Sequence, residues 1–166
     1  MELLIVRHAI AFERNARRWP DDAQRPLSPQ GVARARKAAA GIKRVAPRPV
    51  RVLVSPVLRA RQTAAILTEF GGWPRAAECA ALAPGSSPEA LFAALRRLPD
   101  PCIAVVGHEP GLGRVLAASL CGTGRAPAFG LKKMGAARLS FQGGACAGEA
   151  RLAWLVPPGM LRAARY

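Results

Sequence analysis

Aromatic side chains are scarce in this 166-residue chain: Phe, Trp and Tyr together make up 5% of it. That thinness argues against a single-strand nucleic-acid binder, which needs rings on which bases can stack. There are two histidines, and the four cysteines (Cys79, Cys102, Cys121, Cys146) include no CxxC pair. Neither a zinc cluster nor a disulfide framework fits such a set, so the cysteines are expected to be reduced, structural and in several cases buried. No apolar run approaches the ~20 residues of a membrane-spanning helix. The opening "MELLIVRH" has no basic region before its short apolar run, so no signal peptide is expected and the protein is read as cytoplasmic. Repeats, low-complexity tracts and linkers are missing too, and residues 1–166 read as one domain.

Acidic residues are few as well, 10 against 25 basic ones, which gives a formal charge of +15. Only Lys37, Lys43, Lys132 and Lys133 are lysines, so the excess is arginine. Three accounts stand open: nucleic-acid binding, attraction of an anionic substrate or acidic partner, and arginines spread over solvated helix faces.

What is present is a regular alternation. "LLIV" (3–6), "RVLV" (51–54), "CIAVV" (102–106), "ARLSF" (137–141) and, as a fifth, "RLAWLV" (151–156) are short apolar runs of the kind that suits strands covered on both faces. Between them Ser28-Pro29, Ser55-Pro56 and Ser87-Pro88 each place an N-cap serine before a proline at the first helical position. A further helix opens at Pro110 and closes at Cys121-Gly122. This alternation predicts a three-layer α/β/α sandwich with a mainly parallel central sheet and an antiparallel C-terminal hairpin.

Both histidines fall just past strand ends, in "LLIVRHA" and "CIAVVGHEP". In an open α/β sheet, ligands bind beyond the carboxyl ends of the strands. Arg7 offers a planar fork of donors that matches phosphate oxygens. Arg59 lies about one turn into the second helix, with Thr63 four residues on as a hydroxyl donor. His108 precedes a helix start, where free N–H groups favour an anion. Together these groups suit a dianionic phosphoryl group, and a neutral imidazole could attack it to form a phosphohistidine.

In order along the chain, "VRHAIA", "RPLSPQG", "SPVLRARQTA" and "VVGHEPGL" resemble the motifs of the histidine phosphatase superfamily, whose fold is that of phosphoglycerate mutase. The short chain and motif order are most similar to the SixA branch, small bacterial protein-phosphohistidine phosphatases. The resemblance implies that His8 is the nucleophile and that Arg7, Arg59 and His108 complete the phosphate pocket, with no metal or cofactor. Arg25, in "RPLSPQG", matches a family motif as a substrate-side contact. The competing reading makes it a loop arginine paired with Asp21 or Asp22.

Larger members of the family carry a carboxylate that protonates the leaving alkoxide. Here the candidates are Glu78 and Glu109, and neither sits in a convincing acid motif. An alkoxide gains much from general acid catalysis, whereas an imidazole leaving phosphohistidine needs less. The gap therefore favours a P–N substrate. The expected partner is a phosphohistidine-bearing protein, an acidic helical phosphotransfer module for instance, acted on by a monomer without membrane or nucleic acid. Two alternatives remain: a small-molecule phosphomonoesterase or mutase of the same superfamily, and a non-enzymatic basic nucleic-acid-binding domain. The scheme also sets a geometric condition. Adjacent side chains on a strand point to opposite faces, so the strand must already be curling at His8 if Arg7 and His8 are to touch one phosphate.

Overall fold

The computed structural model describes residues 1–123 and 129–164. Six strands form one sheet in the order β3-β2-β4-β1-β5-β6. They are β1 (Glu2–Arg7), β2 (Arg51–Val54), β3 (Ala77–Glu78), β4 (Cys102–Gly107), β5 (Ala136–Phe141) and β6 (Ala150–Val156). The first four run parallel, while β5 is antiparallel to β1 and pairs with β6 as an antiparallel ribbon. The mainly parallel sheet and the C-terminal hairpin are both as expected. The Gly/Pro stretch read as a loop over 122–130 lies largely outside the described residues.

Five helices cover the sheet: α1 (Pro29–Val45), α2 (Leu58–Gly71), α3 (Pro88–Arg96), α4 (Gly111–Cys121) and α5 (Pro158–Ala163). Alternate strand residues feed two cores, as the period of two requires. Leu4, Val6, Val52, Val54, Ala104 and Val106 pack with residues of α1, α2 and α5 on one face. Leu3, Ile5, Leu53, Ile103 and Val105 pack with those of α3 and α4 on the other. Every residue of β4 is buried, which is why that strand reads as an unbroken apolar run.

Two of the three predicted serine caps are found. Ser28 Oγ accepts from Gly31 N at 3.0 Å, and Ser87 Oγ from Ala90 N at 3.3 Å. Ser55 is the exception: α2 starts later, at Leu58, with Val57 as its N-cap and no side-chain cap. The Ser55 hydroxyl is fully buried and used elsewhere. Of the cysteines expected to be buried, Cys102 is; Cys79 is partly covered, and Cys121 and Cys146 are exposed, all four being free thiols. The two-residue β3 and the short α5 carry no periodicity from which the sequence would reveal them.

Two glycines of α1 set how closely it lies to the rest. A Cβ on Gly31 would collide with the Ile10 carbonyl, in the segment that leads away from β1, and one on Gly41 would collide with the Leu161 carbonyl in α5. Both contacts are with backbone, which cannot swing aside. Gly31→Ala and Gly41→Ala are each expected to destabilise the protein by about 1–3 kcal/mol, as overpacking does, measured by urea denaturation. Only Gly31→Ala, which displaces the segment beside His8, is expected to depress activity in the fraction that stays folded.

Candidate active site

The site lies at the carboxyl ends of three neighbouring parallel strands. Arg7 of β1 pairs with Gly107 of β4, and Val54 of β2 with Val106 of β4. The next residues along the three chains are His8, His108 and Ser55; register sets the two histidines level, with Ser55 one position short of them beside Gly107. His8 N donates to Gly107 O at 3.0 Å and Ser55 N to Val106 O at 3.0 Å, continuing the ladders past the strand ends. The two imidazoles lie 5.0 Å apart between ring centres, tilted by 50°. β1 ends at Arg7, and His8 is the first residue off it, so strand alternation no longer separates their side chains.

Each histidine has one nitrogen committed. His8 Nδ1 lies 2.6 Å from Ala9 O. A carbonyl only accepts, so Nδ1 carries the proton and Nε2 is the nitrogen with the lone pair. His108 Nε2 lies 2.8 Å from Ser55 Oγ, and its Nδ1 is buried without a hydrogen-bond partner. Ser55 Oγ also accepts from Val57 N at 3.4 Å. A hydroxyl that accepts one N–H can still donate its own proton to His108 Nε2, the arrangement in which the imidazole proton sits on Nδ1.

Arg7 is anchored at one end: Nη1 donates to Leu131 O at 2.7 Å, while the buried Nε has no partner. Arg59 is 7% exposed, and its Nη1 donates to Asp22 O at 2.8 Å and meets Asp22 Oδ2 at 3.3 Å. Arg7 Nε and His108 Nδ1 are the buried donor sites that a ligand anion would satisfy.

Burial, foremost, together with the neighbouring cations, pushes the His8 pKa down from 6.5 to about 3 and that of His108 to about 4. Both rings are therefore neutral near pH 7. The partly exposed carboxylate of Asp22 counters this at His108.

Helix α2 acts as the spine of the pocket. Thr63 Oγ1 accepts from Ala9 N at 3.0 Å and donates to Arg59 O at 2.7 Å. Gln62 Oε1 accepts from Leu27 N at 2.8 Å, tying down the "RPLS" segment. The "RARQTA" motif thus holds the loop after His8, the loop after Arg25 and Arg59 itself.

The remaining predicted residues are placed differently. Thr63 is fully buried with its hydroxyl engaged on both sides, so it positions the loop and offers the pocket no donor. Arg25 Nε donates to Asp22 Oδ1 at 2.8 Å and Nη1 to Phe12 O at 2.6 Å, which is the loop-pairing arrangement. Glu78 is exposed on the edge strand β3 and pairs with Arg61 at 3.2 Å, so the fold does not bring it to the histidines. Glu109 has both oxygens tied: Oε2 accepts from Gly113 N at 3.1 Å and Oε1 from Leu131 N at 2.8 Å. Because the carbonyl of the same residue, Leu131, accepts from Arg7, Glu109 acts as a brace between α4 and the Arg7 anchor. Glu78 thus lies away from the histidines, whereas Glu109, held by two backbone N–H groups, lines the cavity beside His108.

Sequence reasoning missed Ser55 and Asp22 as members of the site. Ser55-Pro56 looks like a helix cap, and Asp22 shows only as a partner for Arg25. A cavity of about 220 Å³ adjoins His108, lined by Leu82, Pro84, Ser86 and Arg114 among others. Arg7, His8 and Arg59 are not part of its wall.

Both histidine pKa values are lower in the fold than in the unfolded chain, so the unfolded chain takes up protons first on acidification. Stability is therefore full above about pH 6.5 and falls as the pH drops towards about 4. Urea midpoints taken across that window should decline in wild type. The decline should be much shallower in the His8→Asn/His108→Asn double variant. Ser55→Ala should cut kcat/KM about 10-fold, or about 1.4 kcal/mol, while leaving the fold intact by circular dichroism.

Residues 3–82 match the profile of the histidine phosphatase superfamily (branch 1). An uncharacterised protein of Picosynechococcus sp. is 39% identical over 118 residues, 68% of this chain and 69% of its own length. Among solved structures, the protein histidine phosphatase SixA complexed with tungstate superposes with a TM-score of 0.84 and 26% identity, over 97% of this chain and 99% of that one. A phosphoserine phosphatase of Entamoeba histolytica, in complex with 3-phosphoglyceric acid, has the fold in common: TM-score 0.65, 15% identity, 93% and 95% coverage. With its own four motifs in register and two histidines side by side at the strand ends, the chain belongs to the histidine phosphatase superfamily and is a phosphatase of SixA type in its fold.

Proposed function

We propose that the protein removes phosphate from phosphohistidine displayed on another protein, with His8 as the residue phosphorylated in turnover. The carrying observation is the tautomer of His8: Nδ1 is spent on Ala9 O, which leaves Nε2 as the nucleophilic nitrogen beside the partnerless Arg7 Nε and His108 Nδ1. The SixA likeness supports the same substrate class.

The chemistry balances without an external acid. His8 Nε2 forms a bond to phosphorus as the P–N bond of a substrate ring protonated on its second nitrogen breaks, and that electron pair leaves with the substrate ring as a neutral imidazole. The His8 ring becomes an imidazolium whose Nδ1–H stays on Ala9 O. Arg7, Arg59 and His108 hold the three phosphoryl oxygens by charge and position. Water then forms a P–O bond as the His8 P–N bond breaks. Phosphate departs with the water's protons, and His8 returns to neutral.

A protein-borne histidine must approach from solvent, and the +15 charge suits an acidic carrier. A small phosphomonoester is the second reading, favoured by the cavity of about 220 Å³ beside His108, which would accept a compact leaving group.

Labelled phosphohistidine peptide, quenched without acid, is expected to leave acid-labile, base-stable label on His8 and none on the His8→Ala variant. Label elsewhere, or none during demonstrable hydrolysis, would falsify the scheme. On a substrate panel, kcat/KM should favour phosphohistidine over phosphoserine and sugar phosphates; the reverse order selects the small-molecule reading. Raising salt from about 50 to about 500 mM should lower kcat/KM on an acidic phosphoprotein through screening. An unchanged rate would rule out steering.

A further inference from the structure

Asp22 has no part in the scheme above, although it touches the site more closely than any other carboxylate among the described residues. It lies on a single 3-10 turn, Asp22–Gln24, capped by Asp21, whose Oδ1 accepts from Ala23 N at 2.9 Å. Its carboxylate gathers three arginines from three segments: Arg25 of its own turn at 2.8 Å, Arg14 of the preceding loop at 3.3 Å and Arg59 of α2 at 3.3 Å. From the end of β4, His108 also feels its charge.

Exposure rises outward along this chain of contacts. The side chain of Arg59 is 8% exposed and that of Asp22 34%. Asp22 is therefore the outer member of its pair with the pocket residue Arg59, open enough to solvent for a protein-borne ring to reach. Arg14 is the displaceable partner, with a side chain 81% exposed. A pair between so open a side chain and its carboxylate contributes little.

The chemistry of the leaving group gives that anion a use. Phosphohistidine loses its phosphoryl group most easily when the second ring nitrogen carries a proton, because the ring then departs as neutral imidazole. An anion there stabilises that cationic ring, whereas an alkoxide or aryl oxide leaving group offers it nothing and brings its own negative charge. The guanidinium of Arg25, through its hydrogen bond first, holds the Asp22 carboxyl down at about 2. It is thus an acceptor rather than a proton donor at any working pH.

Resting on the phosphohistidine reading of this site, we propose that Asp22 is its specificity-determining carboxylate: it takes the N–H of the protonated substrate ring in place of Arg14 and so selects P–N over P–O substrates. The step conserves charge. A phosphoryl group passes from one ring bearing an N–H to another, and neither ring needs a proton from outside.

The test compares two substrates on the same enzyme preparations, a short phosphohistidine peptide and p-nitrophenyl phosphate. In Asp22→Asn and Asp22→Ser, the ratio of the two kcat/KM values, peptide over aryl phosphate, is expected to fall at least ~10-fold. In Asp22→Glu, which keeps the anion, most of the ratio should be retained. The carboxylate also raises the pKa of the bound substrate ring, so the alkaline limb of the kcat profile for the peptide should move to lower pH in Asp22→Asn.

If Asp22 only holds Arg59 in place, both substrates lose rate together and the limb stays put. A ratio unchanged in both Asp22→Asn and Asp22→Ser overturns the proposal. Wild-type enzyme that turns over the aryl phosphate but not the peptide overturns the phosphohistidine reading beneath it.

Discussion

The alignment of β1 with β4, in which Arg7 faces Gly107, is the constraint on which the site depends. It makes His8 and His108 the next residues on two adjacent parallel strands, and the bond from His8 N to Gly107 O fixes that neighbourhood. A slip of one residue would turn the side chains of β1 to the opposite faces of the sheet. The two cores forbid it, because Leu4 and Val6 belong to one and Leu3 and Ile5 to the other. Packing on both sides of the sheet is thus what places two imidazoles 5.0 Å apart. No direct bond between them is needed.

The electrostatics follow from where these groups sit. Two arginines and two imidazoles share a pocket, and burial presses the histidines into their neutral forms. A nucleophile needs a lone pair, so in the proposed scheme the same burial that costs stability on acidification keeps Nε2 of His8 ready to react. The arginines cannot give up their protons. One answer is a backbone carbonyl for Arg7 and the carboxylate of Asp22 for Arg59. A dianion entering the pocket supplies the counter-charge for which Arg7 has only a carbonyl dipole and Arg59 a carboxylate shared with two other arginines.

Most of the sheet was readable from sequence, because buried parallel strands are short apolar runs with abrupt ends. "RVLV" is β2 to the residue, and "LLIV" and "CIAVV" each fall inside a strand that is slightly longer. Both histidines were readable as strand-end residues for the same reason. The roles of shorter-range partners were not. A serine before a proline is the local signature of a helix start, and nothing near Ser55 in sequence indicates His108, 53 residues away. Thr63 and Glu109 were picked out by residue type and proved to be braces, since each has its oxygens taken up by backbone groups. Asp22 stayed hidden because its place depends on a loop and a 3-10 turn, which have no periodicity to read.

The abundance of arginine bears on encounter more than on chemistry. Charges more than about 8 Å apart on a wetted surface are largely screened at physiological salt, so most of the 25 basic residues act on an approaching partner only as a diffuse field. Arg7 and Arg59 are different in kind, because one is partly and the other almost wholly buried, where salt screens charge much less. Between these two regimes stands Asp22, an anion at the boundary of buried and exposed charge. A purely positive funnel would draw in every phosphate ester alike. Under the specificity proposed for Asp22, entry depends on what the phosphoryl group is attached to, and the attachment that can carry a positive charge is favoured.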